Sequence, residues 1–389
     1  AYEVATLDKV IKAAAQRVMP RCRYFGLCGG CSLQHLDARA QVAVKQRVLE
    51  DSLWHIGRVR PEQMLPAIHG PAWGYRHRAR MAARYVAKKG GSLVGFHERR
   101  SSYVADMESC EIVPPRISRL LRPLRELVNE LSIRSRLPQV EVAVGEAADV
   151  LILRVLEPLS EADGAYLRGF AESRGVHLYL QPHGPDSAYP FHPPQPADLY
   201  YTLPEFDLKI RFGPTDFTQV NHAVNRVLVR RALALLDPQP GERVADMFCG
   251  IGNFTLAIAR RGAAAVGVEG STELVKRAAA NAMDNGLSGS ASFVEMDLYR
   301  FPGDGLAALG HFDRMLLDPP RDGAVELVKS LPEDAPRRVV YVSCNPGTLA
   351  RDAAVLTQTR GYRLSAAGVV NMFPHTSHIE SIAVFDRQE

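Results

Sequence analysis

Val244-Ala-Asp-Met-Phe-Cys-Gly-Ile-Gly-Asn-Phe254 decides how the rest of the chain is read. It opens as a strand, tightens into a loop around Gly250 and Gly252, and runs into a helix over 254–261. Glycines at such a turn let a ligand approach the backbone closely. A dinucleotide fingerprint would place a third glycine where Thr255 stands. The acid before the loop, Asp246, suits a cofactor with a cationic amino-acid end, such as S-adenosylmethionine, better than a pyrophosphate.

Outward from this loop the pattern alternates strand and helix. Strands are expected over 243–247, 264–268, 291–295, 314–317 and 338–342, and a terminal hairpin over 362–369 and 380–385. Such alternation builds a parallel sheet with helices on both faces. Glu269 ends the second strand, where an acid can take both ribose hydroxyls, and Asp297 follows the third, within reach of an adenine amino group. A plain turn with surface acids is the competing reading, but three acids close three successive strands. Asp318-Pro-Pro-Arg321 and Ser343-Cys344-Asn345-Pro346 end the next two strands, on the edge where open α/β sheets bind ligands. A lone cysteine is commonly a small core residue. Cys344, before an Asn-Pro that ends the strand, is instead a candidate nucleophile. Cys249, inside the glycine loop, reads as packing. In Met372-Phe-Pro-His-Thr-Ser-His-Ile-Glu380, two histidines and an acid hint at a metal, yet no matching ligand is evident. Glu380, at a strand start in apolar surroundings, suits a general base of raised pKa.

The 389 residues exceed one compact domain, and 46% hydrophobic with 23% charged residues exclude disorder and rods. No apolar run reaches the roughly 18 residues of a membrane span, and residues 1–21 lack a secretory pattern. A strand is expected at Ala1–Val4. A helix is expected over 37–56, with Asp37 as its cap, Gly57 as its stop, and Val42, Val44, Val48, Leu49 and Leu53 at helical spacing. Strands follow over 78–86, 92–97, 140–144 and 150–155, and then a helix over 160–174 capped by Ser160. The proline-rich stretch 181–196 reads as a connector. Of six cysteines, Cys22, Cys28 and Cys31 fall within ten residues, which asks for a metal or cluster rather than a disulfide framework. Between Tyr75 and Arg100 stand eight Lys or Arg and one acid. Arg76, Arg78 and Arg80 alternate as a phosphate track would, although a charge run is often only a solvated face. The net charge of +4 favours a polyanionic partner weakly.

Phe217-Thr-Gln219-Val-Asn221, the 246–254 loop, Asp318–Arg321, Ser343–Pro346 and Phe373–Glu380 stand in order along the chain. Together they resemble the RNA uracil-5-methyltransferase family. Cys22-x5-Cys28-x2-Cys31 with the distant Cys110 is similar to its iron–sulfur members that act on 23S ribosomal RNA. Transfer-RNA members lack that cluster. The resemblance implies an α/β class I S-adenosylmethionine-dependent methyltransferase, a doubly wound, mainly parallel seven-stranded sheet over 197–389. A smaller β-rich RNA-binding domain would span 71–196 and an iron–sulfur segment with a helix 21–70. Residues 1–20 would be the remnant of an N-terminal TRAM-type RNA-binding domain and linker. It further implies Cys344 as nucleophile and Glu380 as base. Gln219 and Asp318 would contact uracil or cofactor, Phe248, Asn253, Glu269 and Asp297 would line the cofactor pocket, and Phe217 would stack on the base. Cys22, Cys28, Cys31 and Cys110 would hold a 4Fe-4S cluster. Four thiolates also suit zinc, but a triplet with one distant cysteine departs from paired zinc knuckles. The expected enzyme is a cytoplasmic monomer with no membrane partner. It methylates C5 of a flipped-out uridine in unfolded or assembling 23S rRNA. A different rRNA or tRNA uridine, or a non-catalytic ribosome-assembly factor, are the alternatives.

Overall fold

The computed structural model describes residues 8–300, 305–332 and 334–388. The strand expected at Ala1–Val4 lies outside them. Among the described residues the largest sheet has eight strands. In chain order these are β1 (Gln63–Met64), β2 (Arg243–Met247), β3 (Ala264–Glu269), β4 (Ala291–Glu295), β5 (Arg314–Leu317), β6 (Arg338–Ser343), β7 (Tyr362–Val370) and β8 (Glu380–Arg387). They lie in the order β1-β7-β8-β6-β5-β2-β3-β4, and β8 alone runs against the rest. The expected seven strands are thus corrected to eight. Gln63 and Met64 pair in parallel with Ala366 and Ala367 at the sheet edge, and two residues are too few to show a period. The chain runs outward from β2 through β3 to β4 and then crosses back to β5 on the other side of β2, which opens a crevice above the carboxyl ends. β5 is buried along its whole length, as a strand covered on both faces must be.

A second sheet has the order 91–95, 78–86, 139–144, 149–154, 177–181, 189–192. Its one parallel pair, 149–154 with 177–181, is bridged by the helix Glu161–Arg174. Ser160 and Asp163 cap that helix reciprocally, each side chain meeting the other's backbone N–H. The stretch expected as a connector contains the strand Tyr189–His192. Pro190 is tolerated because this strand is the sheet's edge, where a missing N–H breaks no ladder. The helix Leu121–Glu130 and the two-stranded ribbon of Tyr200–Leu203 and Leu208–Arg211 were not anticipated. The two large sheets share one core, in which Ala143, Val150, Ile152 and Tyr179 join Leu228, Val340 and Ile382.

The helix Ala38–His55 begins where expected, with Asp37 Oδ1 accepting from Arg39 N at 2.9 Å and Ala40 N at 3.0 Å. Its buried face is a correction. Gln41, Lys45, Leu49 and Leu53 point inward, while Val44 and Val48 are exposed. The polar half of that stripe meets the loop between β7 and β8, described below. The helix ends on Ile56, and Gly57 after it is a glycine for close packing rather than as a left-handed stop. A Cβ there would lie 2.4 Å from the Ala350 carbonyl on the helix Pro346–Thr359. No helix among the described residues is long and apolar enough to cross a membrane. Gly57→Ala should therefore force two helices apart and cost about 1–3 kcal/mol, as overpacking typically does. An unchanged urea midpoint would show that the contact yields freely.

Candidate active site

A cavity of about 770 Å³ opens above the carboxyl ends of the large sheet. Its lining brings together the residues expected for catalysis, cofactor and base stacking, Asp246 excepted: Phe217, Gln219, Phe248, Asn253, Glu269, Asp297, Asp318, Cys344 and Glu380. The backbone of the glycine loop is contorted, with φ of +65° at Phe248, +55° at Gly250 and +91° at Gly252. A side-chain-bearing residue held at positive φ is strain that surrounding structure must impose, and it occurs here at the site. Glu269 fixes the loop. Its Oε2 accepts from Gly250 N at 3.0 Å, and its Oε1 accepts from Gly270 N at 2.8 Å and Ser271 N at 3.2 Å. A carboxylate has about four lone-pair sites, so with three taken about one remains for a ribose hydroxyl. Asp297 spends only Oδ1 on backbone N–H groups, those of Tyr299 at 2.9 Å and Arg300 at 3.2 Å. Asn253 is locked by Tyr201 OH at 2.9 Å and by a double amide exchange with Asn225 at 2.9 and 3.1 Å.

Asp246 is placed otherwise than the sequence suggested. It is fully buried beneath the loop, bonded by Thr255 Oγ1 at 2.5 Å, and its Oδ1 has no partner. Burial pushes its carboxyl up to about 7. Cys249 is buried too, its thiol pushed far up by burial, and a Cβ on Gly267 would come within 2.8 Å of its sulfur. Packing fits it.

Cys344 follows β6 and Glu380 begins β8. The antiparallel register pairs Ser343 with Ser381, which sets Cys344 and Glu380 side by side. Burial, then the charges of Glu380 and Asp318, push the Cys344 thiol up to about 11. Glu380 is raised well above the ordinary carboxyl range by burial and then by Asp318. Asp318 itself is raised to about 7 by burial and then by Asp246. Arg321 opposes the shifts of Cys344 and Glu380, favouring the charged forms. Its guanidinium donates to His378 Nδ1 at 2.7 Å, and burial, then Arg321, keep that imidazole neutral. Sequence reasoning quoted Arg321 within its motif and gave it no role. It also passed over Tyr299, which lines the cavity and meets Phe248 edge-on at 5.9 Å. The signal available was an aromatic residue two places after Asp297. Phe217 is 69% exposed at the rim.

The expected phosphate track is less open than its spacing implied. Arg78 turns inward, donating to the Asp216 carbonyl and lying 3.9 Å from Glu141. Arg80 is exposed but donates to Glu141 at 3.1 Å. Arg76 is half-buried with its Nε unpartnered. Glu141 stands opposite Arg80 on the neighbouring strand, a pairing invisible in a linear reading. Cys22, Cys28, Cys31 and Cys110 line one small cavity with Phe96 and Met107. Burial pushes Cys31 up to about 11 and Cys110 up to about 12. Among the described residues no group of three or more His, Cys, Asp or Glu is placed to hold a metal ion. His375 and His378 form no such group either.

A doubly wound sheet whose glycine loop and strand-end acids ring one crevice is the fold of an S-adenosylmethionine-dependent methyltransferase. The solved tRNA (uracil-54, C5)-methyltransferase of Pyrococcus abyssi, in complex with S-adenosyl-L-homocysteine, shares that fold with a TM-score of 0.71. The match covers 97% of this chain and 88% of that one at 23% identity. The profile of the tRNA (Uracil-5-)-methyltransferase family matches residues 202–388. The 23S rRNA (uracil(1939)-C(5))-methyltransferase RlmD of Nitrosospira multiformis is 60% identical over 99% of this chain and 88% of its own length. The RlmD of Dechloromonas aromatica is 62% identical, covering 99% and 89%. This chain belongs to the uracil-5 RNA methyltransferase family, in the group of these 23S rRNA enzymes.

A thiol near 11 is almost wholly protonated at neutral pH, and only the thiolate alkylates. Iodoacetamide should therefore modify Cys344 slowly at pH 7.5, with a rate rising about tenfold per pH unit through pH 10. Peptide mass spectrometry follows it, and a plateau before pH 9 would contradict the electrostatics described.

Proposed function

We propose that this protein transfers the methyl group of S-adenosylmethionine to C5 of uridine 1939 in 23S ribosomal RNA. The observation that carries the reading is the side-by-side placement of Cys344 and Glu380 above an acid-lined cavity, in a chain about 60% identical to RlmD enzymes. Uracil C5 is a weak nucleophile. The Cys344 thiolate adds to C6 and makes an enolate, whose C5 takes the methyl group as the methyl–sulfur bond of the sulfonium donor breaks and S-adenosylhomocysteine leaves. The C5 proton then goes to the Glu380 carboxylate, and the C6–S bond breaks to restore the C5–C6 double bond and the thiolate. Bound S-adenosylmethionine supplies the electrophilic methyl. Arg321 favours the ionised forms of both working groups, which burial alone suppresses. A uridine must leave its stack to reach Cys344, and Phe217 at the rim supplies an aromatic face for it. Residues 71–196 would hold the surrounding RNA, with Arg76, Arg78 and Arg80 among its contacts, in a cytoplasmic monomer acting during ribosome assembly. Gln219, Phe248, Asn253, Glu269, Asp297 and Asp318 are assigned to the cofactor. A purely binding role leaves the half-buried Cys344 beside the buried Glu380 without a purpose.

The reading extends to a 4Fe-4S cluster on Cys22, Cys28, Cys31 and Cys110. Four soft donors from two distant segments face one cavity, the chemistry such a cluster takes. Burial raises the thiols in the absence of a cation, and iron charge acts in the opposite sense.

Two experiments follow. With unmodified 23S rRNA fragments and S-adenosylmethionine, Cys344→Ala should give neither methylation nor a covalent adduct. Glu380→Gln should methylate once and remain on the RNA, visible on a denaturing gel, because proton removal loses the about 10²–10⁴-fold that a general base provides. Normal turnover by Glu380→Gln sinks the assignment. Separately, anaerobically purified protein should carry about four irons per chain. Cys110→Ser should lose the iron yet still bind S-adenosylmethionine; zinc without iron would refute the cluster.

A further inference from the structure

Nine residues, Asn371–Ile379, join β7 to β8 and lead straight into Glu380. They hold one another weakly. Thr376 N reaches Phe373 O at 3.4 Å, Thr376 Oγ1 reaches the same carbonyl at 3.0 Å, and His378 N reaches Thr376 Oγ1 at 3.2 Å. The firmer bonds come from far away in sequence. Ser32 N and Leu33 N donate to His375 O at 2.8 and 2.9 Å, and Ser32 Oγ accepts from Ser377 N at 3.0 Å. Gln41 Oε1 accepts from His375 N at 2.8 Å, while its amide donates to His375 Nδ1 at 3.2 Å. Lys45 Nζ donates to Asn371 Oδ1 and to Phe373 O, each at 2.8 Å. His375 is held at φ +66°, a conformation that a residue with a side chain keeps only when its surroundings impose it.

Gln41 and Lys45 are each 1% exposed, one helical turn apart, and both side chains end on this loop. Burying an amide and an ammonium without a carboxylate partner is unfavourable unless their bonds are well made. Nothing in packing alone calls for them, since a leucine pair would continue the stripe of Leu49 and Leu53. The same segment carries Cys31 immediately before Ser32.

We infer that Ser32, Gln41 and Lys45 are positioning residues for proton removal: they hold the 371–379 loop so that Glu380 meets the C5 proton, and they tie that step to the cysteine-bearing segment. The inference rests on the reading of Glu380 as the base. Cys344 follows β6 and the glycine loop follows β2, and no hydrogen bond links them to these three side chains. Attack and methyl transfer should therefore outlast the loss of the clamp.

The test compares Gln41→Leu, Lys45→Met and the milder Ser32→Ala with Glu380→Gln, using full-length protein, an unmodified rRNA fragment and S-adenosylmethionine. Formation of the covalent species should stay within about threefold of the parent, while its release slows by about tenfold to a hundredfold, the range a small misplacement costs. Methylated adduct should accumulate on denaturing gels, most for Gln41→Leu and Lys45→Met and least for Ser32→Ala. Amide exchange in the free protein should quicken over 371–378 and stay unchanged over 248–254. If formation and release fall together, or neither moves, the clamp is only structural and the inference fails. If Glu380→Gln turns over without trapping, the base assignment fails and the inference with it. If Glu380→Gln traps while Gln41→Leu and Ser32→Ala release normally, the inference alone is wrong.

Discussion

Parallel strands finish at one edge, and that constraint assembles this site. Glu269, Asp318 and Cys344 end or follow β3, β5 and β6, so residues far apart in sequence arrive on one line. The single antiparallel strand completes the set. Because β8 runs backward, its first residue rather than its last lies at the crevice, and the Ser343–Ser381 register delivers Glu380 to Cys344. A one-residue slip of β8 would turn the carboxylate to the opposite face of the sheet. The hydrogen-bond ladder between β6 and β8 is therefore as much part of the chemistry as the two side chains.

The same convergence concentrates buried acid. Asp246, Asp318 and Glu380 are all raised, burial being the largest cause, and each raises a neighbour further. For Asp246 and Asp318, raised to about 7 against about 3.9 in an unfolded chain, the sign is clear. The folded state binds the protons more tightly, so their contribution to stability falls as pH rises from about 4 to about 7. The fold carries this cost in and beneath the cavity proposed to take the cationic methyl donor. Among the lining residues Arg321 is the one permanent cation, and its hold on neutral His378 fixes where that charge sits.

The strands of the large sheet were legible because buried parallel strands are short apolar runs punctuated by turn residues; Arg243–Met247 and Arg314–Leu317 fall where the sequence put them. The site was legible for the same reason, since its motifs sit at strand ends. Gln63–Met64 was not, because an edge strand of two residues has no pattern of its own. Tyr189–His192 hid behind prolines that only an edge tolerates. Arg78 and Arg80 alternate as expected, yet Glu141 draws both toward the sheet, and cross-strand partners cannot be read from one strand. Asp246 was assigned to the ligand and instead supports the loop from beneath, a difference of depth that spacing does not encode.

The helix Ala38–His55 is the most instructive misreading. Its valines suggested an apolar face, and the structure turns Val44 and Val48 to solvent in favour of Gln41 and Lys45. A helix rotates to bury what its neighbours require, and here the neighbour is a loop with unpaired carbonyls and amides rather than another apolar surface. Had the loop satisfied the His375 amide and the Phe373 carbonyl from within, the valine face would have been the better one to bury. The rotation of this helix and the loop before Glu380 are thus two sides of one choice, in which the loop is held by residues more than three hundred positions away.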